Sequence, residues 1–236
     1  MARAATSDAA VGRAETDRPP DPDRRYAGKT LGERRDEQRE RILLAGRDVF
    51  AERGYAGAGI DEIVAKARVS RTTFYAFFEN KEECLLAVFA LGVHQLGTAL
   101  VKAVMATSSP AHEPMDRIRA EVRALAATYA ADPAMARIVL IGVVGATPAC
   151  EQARVEARDQ AARVIQAQLE EYEYWLQRPP LHRRVASLAA MAAIAEPMSE
   201  LVVQNRLPEW ETLVEPISQA VGHGIISPQG FNERAP

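Results

Sequence analysis

The sequence predicts an all-α protein of about nine helices. Alanine dominates a composition that is 47% hydrophobic and only 6% aromatic, and alanine is the best helix former. Apolar residues recur at intervals of three and four, which is the period of an amphipathic helix. No run of alternating β-branched residues stands out, so the composition favours packed helices over sheets.

The chain divides into four predicted segments. Residues 1–28 are rich in Ala, Asp, Arg and Pro without periodicity, and we expect a disordered arm there. Residues 29–82 should form a small three-helix domain, and residues 83–227 a larger helical domain. Residues 228–236 should be a frayed C-terminus.

The first helix has a clear start and end. Thr30 with Glu33 can form a capping box at its N-terminus. One apolar stripe then follows at helical spacing, made of Ile42, Ala45, Gly46, Val49 and Phe50. Gly54-Tyr55 should end the helix.

Two short helices joined by a tight turn follow between Gly59 and Lys81. Ile60, Ile63, Val64 and Ala67 form the stripe of the first of them. Ser70 is a good N-cap for the second, and Asn80 with Glu83 is a similar cap for the fourth helix of the chain.

The rest of the chain stays helical. Ile118 to Tyr129 mark the fifth helix, and Asp132-Pro133 starts a sixth that ends near Gly145 to Pro148. The predicted seventh helix runs from Ala157 through Tyr172 and stops at Pro179-Pro180. The eighth covers Arg183 to Asn205, interrupted by Pro197, and the ninth covers Pro208 to Ile225.

Charge is distributed unevenly along the chain. The formal net charge is −3, which alone argues against a nucleic-acid binder. Residues 24–81, however, hold 13 Lys+Arg against 9 Asp+Glu, whereas residues 82–236 hold 13 against 18. A mildly basic N-terminal part on an acidic body fits a DNA reader joined to a regulatory domain.

Three runs of residues stand at fixed spacings in the basic part: Phe50-Ala51-Glu52-Arg53-Gly54-Tyr55, Ile60-Asp61-Glu62-Ile63-Val64-Ala65, and Val69-Ser70-Arg71-Thr72-Thr73-Phe74-Tyr75-Ala76-Phe77-Phe78-Glu79-Asn80-Lys81-Glu82. With them, the segment from Arg39 to Phe89 resembles the DNA-binding domain of the tetracycline-repressor (TetR) family of transcriptional regulators. The resemblance implies that residues 29–82 are a helix-turn-helix domain whose third helix enters the DNA major groove.

The resemblance and the side-chain chemistry together assign candidate DNA contacts. Arg71 can donate two hydrogen bonds to guanine, while Tyr75 and Lys81 can reach phosphates. The complete predicted set is Gly59, Ser70, Arg71, Thr72, Thr73, Tyr75, Ala76 and Lys81. Phe74 is expected to pack in the core and to fix the angle between the second and third helices.

Three positions depart from the family pattern. Gly59 stands where Thr or Ser is common, Arg68 where the inter-helix turn has Gly, and Thr72 where the recognition helix has a small residue. If Arg68 is left-handed, the side chain costs on the order of 1 kcal/mol.

The resemblance also implies that residues 83–227 bind a ligand and dimerise. Candidates for an effector pocket are Tyr129, Met135, Ile138, Tyr172, Trp175 and Met191, although each alone fits an ordinary core. The last two helices would form the homodimer interface through Val185, Leu188, Ala192, Leu213, Ile217, Ala220 and Val221. The implied partners are a pseudo-palindromic double-stranded operator and a small apolar or amphipathic effector.

Other function classes find little support. The four histidines, His94, His112, His182 and His223, have no metal or triad spacing, and we expect neither enzyme activity, metal nor cofactor. The apolar run Ile138 to Ala146 is too short to span a membrane, and residues 1–22 lack the apolar region of a signal peptide. We expect a cytoplasmic repressor with free Cys84 and Cys150; the alternative is a ligand-binding or interaction module that has lost specific DNA binding.

Overall fold

A computed structural model describes residues 30–107, 113–171 and 173–225. The predicted arm at 1–28 and the C-terminal segment at 228–236 lie outside these ranges. Within them all regular secondary structure is helical, which confirms the predicted all-α class.

Ten α-helices occur in the described ranges: α1 (Leu31–Gly57), α2 (Ile60–Ala67), α3 (Arg71–Tyr75), α4 (Lys81–Ala106), α5 (Pro114–Ala131), α6 (Pro133–Arg137), α7 (Pro148–Leu169), α8 (Glu173–Leu176), α9 (Pro180–Val203) and α10 (Glu211–Ile225). A π-helical segment, Ile138–Gly142, continues α6, and a 3₁₀ turn, Leu207–Glu209, precedes α10.

The prediction of one long seventh helix was wrong. It ends at Leu169, and a separate single turn, α8, follows. The acidic residues Glu170, Glu171 and Glu173 come directly after α7. Negative charge is favourable at the N-terminal end of a helix dipole, and Glu173 occupies the first turn of α8.

The predicted helix caps are confirmed. Thr30 and Glu33 form a reciprocal capping box at the start of α1. The Asn80 side chain accepts from the backbone N–H of Glu83 at 2.9 Å. The Glu83 carboxylate accepts from the N–H of Glu79 at 2.6 Å, so this second pair holds the loop before α4 in place.

The backbone has positive φ at two places near α2 and α3. Gly54 interrupts α1 at φ 67°, a conformation that glycine adopts without strain. Arg68 ends α2 in the left-handed region at φ 54°, ψ 48°. The conformational cost expected for a non-glycine residue at this turn therefore applies to Arg68.

One buried core joins the two halves of the chain. It contains Phe50 from α1, Ile63 from α2, Phe74 from α3 and Leu85 from α4, and it continues into Ile138 of the π-helical segment. Because the first helices share this core with the second half, their orientation depends on the segment from α6 to α7.

Two further clusters build the C-terminal half. In one, Ile118 and Val122 of α5 pack against Ala190 of α9 and against Ile217 and Val221 of α10. In the other, Ala126 of α5 and Ala136 of α6 meet Met198, Leu201 and Leu207. Helix α5 therefore lies between α4 on one side and the α9–α10 pair on the other.

Two of the described helices, Lys81–Ala106 and Pro180–Val203, are long and apolar enough to cross a membrane by length and composition alone. The α5–α6 pair would add a third if its 106° bend were counted within one span. The prediction from the short run Ile138 to Ala146 therefore missed the two helices that are long and apolar enough to span a membrane. In α4 the apolar residues Cys84, Leu85, Val88 and Phe89 are buried in the protein core.

Both cysteines are free and buried. Burial raises the pKa of the Cys84 thiol to about 12 and also raises the pKa of Cys150. The prediction of free thiols is confirmed.

A close helix approach at Gly92 gives the first testable prediction. A Cβ added there would lie 2.6 Å from Val139 Cγ2 and 2.7 Å from Met135 Sδ. We expect Gly92→Ala to lower the free energy of unfolding by about 1–3 kcal/mol because it overpacks the α4–α6 contact. Urea unfolding followed by circular dichroism measures the change.

Gly97→Ala is the matched control on the same helix, since a Cβ at Gly97 meets nothing within 4 Å in the described chain. It should raise stability by up to about 1 kcal/mol through helix propensity. Equal effects of the two substitutions would contradict the close approach.

Candidate functional site

The turn between α2 and α3 is fixed by backbone and side-chain hydrogen bonds. Arg68 leaves the α-helical region, and the N–H of Val69 donates to the carbonyl of Val64 at 3.0 Å. The guanidinium of Arg41 in α1 donates to the carbonyls of Ala67 and Arg68. These bonds satisfy the last carbonyls of α2 and set the direction in which the chain enters α3.

Helix α3 is five residues long. Its N-cap Ser70 accepts from the N–H of Thr73 at 3.0 Å, and the two hydroxyls lie 2.8 Å apart. The Ser70 and Thr73 hydroxyls thus stabilise the start of the helix. Phe74 is fully buried, as expected of a packing residue.

The opposite face of α3 is exposed. Arg71, Thr72, Tyr75 and Ala76 all point away from the core, and the Tyr75 side chain is 48% exposed. Four of the eight predicted DNA contacts therefore share one solvent-facing surface, which we call the reading face.

Arg71 forms an ion pair with Asp61 of α2, with Nη1 3.0 Å from Oδ1. Hydrogen bonding to Tyr75 and the charge of Asp61 raise the pKa of Arg71, so the side chain stays cationic. Both partners are more than half exposed, and exposed ion pairs contribute little to stability. The guanidinium can therefore exchange this carboxylate for another acceptor.

Gly59 occupies the N-cap of α2 at φ −112°, ψ 144°, and provides no side-chain cap. A Cβ built there meets nothing within 4 Å in the described residues. The hydroxyl side chain that is common at this position in the family would therefore fit without strain.

Lys81 was expected to face either solvent or a phosphate, and its main contacts lie within the protein. Its ammonium donates to the carbonyl of Tyr55 at 2.8 Å and to the carbonyl of Ala58 at 3.0 Å. It also lies 4.5 Å from the centre of the Tyr55 ring. An ammonium has three donors, so one remains beyond this clamp.

Two arginines of α1 that the sequence did not single out lie beside the same region. Arg35 lies over the Phe77 ring at 5.3 Å, and Arg39 over the Phe78 ring at 5.7 Å. Cation–π contacts of this kind bring positive charge close to the end of α3. The sequence signal, arginine at i and i+4 on α1, is common to many solvent-facing helices.

An ion-pair network connects α1 and α2 to the second half of the chain. Asp132 caps α6 by accepting from the N–H of Met135 at 2.9 Å, and it also accepts from Arg47 of α1 at 2.6 Å. Arg47 bonds Asp48 as well, and Asp48 pairs with Lys66 of α2 at 3.2 Å. Burial opposes the charge on Arg47, but its two carboxylate partners outweigh it and raise its pKa.

A cavity of about 60 Å³ lies between α4, α5, α7, α9 and α10. Most of its wall is apolar, while Arg117, Glu121 and Gln168 supply polar groups. The apolar lining consists of Leu100, Ile118, Val122, Leu125, Ile165, Leu169, Ala190, Ile194 and Val221. An enclosed apolar space with a few polar groups is the usual form of a small-molecule site.

The structure does not bring the six predicted pocket residues together. Tyr129 and Met135 line a separate cleft of about 10 Å³ beside Gly92, and burial raises the pKa of Tyr129 to about 12. Ile138 is fully buried in the shared core, Trp175 is buried under α9, and Met191 lines neither space. Tyr172 lies outside the described residues.

The predicted dimer stripe is partly internal. Ile217 and Val221 are buried against α5, so the expectation that they face a second subunit was wrong. The apolar stripe of α10 already has a partner in its own chain. On α9, in contrast, Val185 is 57% exposed and Leu181 is 68% exposed, and Ala189 and Ala192 continue that outer face.

These features define a class: an all-helical protein with an N-terminal helix-turn-helix domain and a larger C-terminal helical domain. Residues 42–88 match the model of the family described as bacterial regulatory proteins, tetR family. The chain therefore carries a TetR-family helix-turn-helix domain, and it has the fold of that family's regulators.

Individual relatives agree with this assignment. The transcriptional activator FasR of Mycolicibacterium smegmatis is 39% identical over 90 residues, which cover 38% of this chain and 39% of FasR. The repressor DhaR of Mycobacterium sp. (strain GP1) is 43% identical over 44 residues, 19% of this chain and 22% of DhaR. The matched regions thus span well under half of these relatives.

By fold, the chain is similar to FadR of Bacillus subtilis, whose structure was solved in complex with stearoyl-CoA. The TM-score is 0.62 at 18% identity, and the match covers 77% of this chain and 98% of FadR. The similarity at this identity concerns the fold.

The Lys81 clamp can be tested without DNA. Lys81→Met keeps the aliphatic stem but leaves two carbonyls without their donor and removes the cation from the Tyr55 ring. We expect the free energy of unfolding to fall by about 1–3 kcal/mol, measured by urea titration.

Lys66→Met is the control, because the side chain of Lys66 is 41% exposed and its ammonium pairs with the carboxylates of Asp48 and Glu52 rather than with backbone carbonyls; the substitution should change stability by no more than about 1 kcal/mol. If the Lys81 variant unfolded at the same urea concentration as the unmodified chain, the clamp would not contribute to stability.

Proposed function

We propose that the chain is a ligand-responsive DNA-binding transcriptional regulator, a repressor that binds a pseudo-palindromic operator as a homodimer. A small apolar or amphipathic effector releases it. The observation that carries the proposal is the reading face of α3, which is polar, exposed and held by the buried Phe74 within a matched TetR-family domain.

In this proposal the reading face enters the major groove. Arg71 contacts base edges, Thr72 and Ala76 contact bases or sugar, and Tyr75 reaches a phosphate. Gly59 contributes the bare N–H groups of α2 to a phosphate. Lys81 keeps its clamp and adds its remaining donor, while Ser70 and Thr73 shape the helix start that presents these groups.

The ion-pair network supports coupling between the two halves. Helix α5 lines the cavity and ends at Ala131, one residue before Asp132. Any displacement of α5 therefore moves the carboxylate that holds Arg47 of α1. A ligand that favours one position of α5 shifts the equilibrium of the DNA-binding helices by its differential affinity for the two positions.

Repression and the nature of the effector are inferred from the relatives and from the cavity wall. The relatives include both an activator and a repressor, and we favour repression because DNA release by a ligand needs only a change of geometry. The stearoyl-CoA bound by the structurally similar FadR and the apolar cavity wall both favour an amphipathic effector.

The proposed dimer forms through α9 and α10, with the outer face of α9 at its centre. Exposed Leu181, Val185, Ala189 and Ala192 recur there at helical spacing, and small residues allow close helix approach. Burial in a dimer also accounts for the apolar composition of α9 in a cytoplasmic protein.

A second candidate is a ligand-binding module with this fold that no longer reads DNA. The strained Arg68 turn and the absence of a hydroxyl at Gly59 favour it. Selection from a pool of random DNA duplexes separates the two, because only the regulator enriches a defined sequence.

DNA reading gives a further prediction, measured by gel shift on the enriched sequence or on DNA from upstream of the coding region. Arg71→Ala should weaken binding by about tenfold to a hundredfold, since one bidentate base contact is worth about 1–3 kcal/mol. It should also relax the preference at one base position.

Arg206→Ala is the matched control, because Arg206 is exposed and pairs with Glu209 far from α3. Its affinity and base preference should equal those of the unmodified chain. Equal binding by all three proteins would remove Arg71 from the reading face.

The dimer gives another prediction, with two valines of equal exposure. Val185 on α9 and Val101 on α4 are both 57% exposed. Val185→Asp should shift the chain toward monomer in sedimentation velocity, because it buries an unpaired charge in the interface. Val101→Asp should leave the assembly unchanged, and the reverse pattern would place the interface on α4.

A further inference from the structure

Two acidic side chains and one arginine lie at the polar end of the cavity, where burial raises the pKa of the Glu121 carboxyl against the opposing hydrogen bonds from Arg117 and Gln168. Arg117 Nε donates to Glu121 Oε1 at 3.2 Å, and Arg117 Nη1 donates to Glu171 Oε2 at 2.8 Å. Two carboxylates therefore share one guanidinium. Glu121 and Arg117 are largely shielded from solvent, whereas the Glu171 side chain is 55% exposed.

The hydrogen bonds leave one acceptor for a ligand. Gln168 Nε2 also donates to Glu121 Oε1, at 3.0 Å, so both donors use the same carboxylate oxygen. Among the described residues Glu121 Oε2 receives no hydrogen bond, and Glu121 lines the cavity. Glu121 Oε2 therefore keeps its capacity to accept a hydrogen bond from a donor on a bound molecule.

The guanidinium of Arg117, in contrast, has few free N–H groups with which to bind an anion. Its Nε and Nη1 are bonded as described, and Nη2 lies 3.4 Å from Glu171 Oε1. A carboxylate or phosphate placed here would meet two negative charges and one positive charge that is already shared. Repulsion of this kind is strong where water is scarce.

The volume limits the apolar part of the ligand. Water needs about 10–15 Å³ of such space, so 60 Å³ admits about four to six non-hydrogen atoms without movement of the helices. Ile118, Val122, Ile165 and Ile194 present only carbon atoms to such a chain.

We propose that the cavity binds small lipophilic amines, with an alkyl group among the isoleucines and the ammonium on Glu121, and that it discriminates against carboxylates of the same chain length. This inference names the effector class for the proposed regulator and so rests on that function for its biological meaning. The binding itself requires neither DNA nor a dimer.

The test uses three probes of matched length, n-butylammonium, 1-butanol and butyrate, titrated into the full chain at pH 7 by isothermal calorimetry. We expect n-butylammonium to bind at least about tenfold more tightly than butyrate, as a charge-assisted hydrogen bond replaces a repulsion. Butanol should fall between them. Butyrate binding as tightly as the amine, or no binding of the amine, would overturn the proposal.

Glu121→Gln identifies the group responsible. It keeps the shape of the side chain and removes the charge, so the preference for the amine over butanol should disappear while butanol binds within about twofold of its original affinity. Glu156→Gln is the control, because Glu156 is an exposed glutamate of α7 outside the cavity lining, and it should change amine binding by no more than about threefold. An unchanged preference in Glu121→Gln would assign amine binding to another place, contrary to the proposal.

The comparison of probes on the unmodified chain does not depend on whether the variants fold. Gel shifts with the same amine then separate the two hypotheses. Amine binding without any DNA binding would refute the proposed regulator and leave this site intact, whereas DNA binding unaffected by a bound amine would show that the site is not the regulatory one.

Discussion

The ammonium of Lys81 holds together the ends of α1, α2 and α4, whose relative orientation the proposed DNA reading requires. Lys81 is the first residue of α4, and its ammonium donates to the carbonyl of Tyr55 at the end of α1 and to the carbonyl of Ala58 just before α2. A cation is favourable at the C-terminal end of α1 and unfavourable at the N-terminal end of α4. The unfavourable interaction with the N-terminal end of α4 is small compared with two charge-assisted hydrogen bonds that are partly shielded from solvent. The loop from Tyr55 to Gly59 is therefore fixed relative to α4, and the start of α2 with it.

The long helix α4 transmits this arrangement to the second half. Gly92 has no side chain, so α6 packs closely against α4 at this position. Asp132 at the start of α6 forms an ion pair with Arg47 of α1. The helices α1–α4 thus contact the C-terminal half through the close packing at Gly92 and through the ion pair between Arg47 and Asp132. Packing of this kind has few intermediate arrangements, so a displaced α5 would move α6 as a unit.

Local sequence signals predicted much of this structure correctly, because they depend on neighbours in the chain. The caps at Thr30, Ser70 and Asn80 are formed within three residues, and Phe74 follows from the stripe of one short helix. The partners of Lys81 lie 23 and 26 residues away, and only the folded loop brings them near.

The C-terminal half was predicted less well for the same reason. Periodicity shows that Ile217 and Val221 are buried but does not say whether α5 or a second subunit buries them. Likewise the cavity depends on five helices meeting, and its decisive group, Glu121, has the sequence appearance of an ordinary i,i+4 partner of Arg117. Aromatic and methionine residues attracted attention in the sequence, whereas the cavity wall is mainly Ile, Leu and Val.

The two buried thiols have a consequence for following the molecule in motion. Only a thiolate reacts quickly with alkylating reagents, and burial disfavours the thiolate at Cys84 and Cys150. Each therefore becomes reactive only during moments when its surroundings open. Cys84 belongs to the core under α1, and Cys150 to the first turn of α7. The alkylation rate of Cys84 therefore measures how often the N-terminal helices open. The alkylation rate of Cys150 measures how often the segment that connects those helices to the cavity opens.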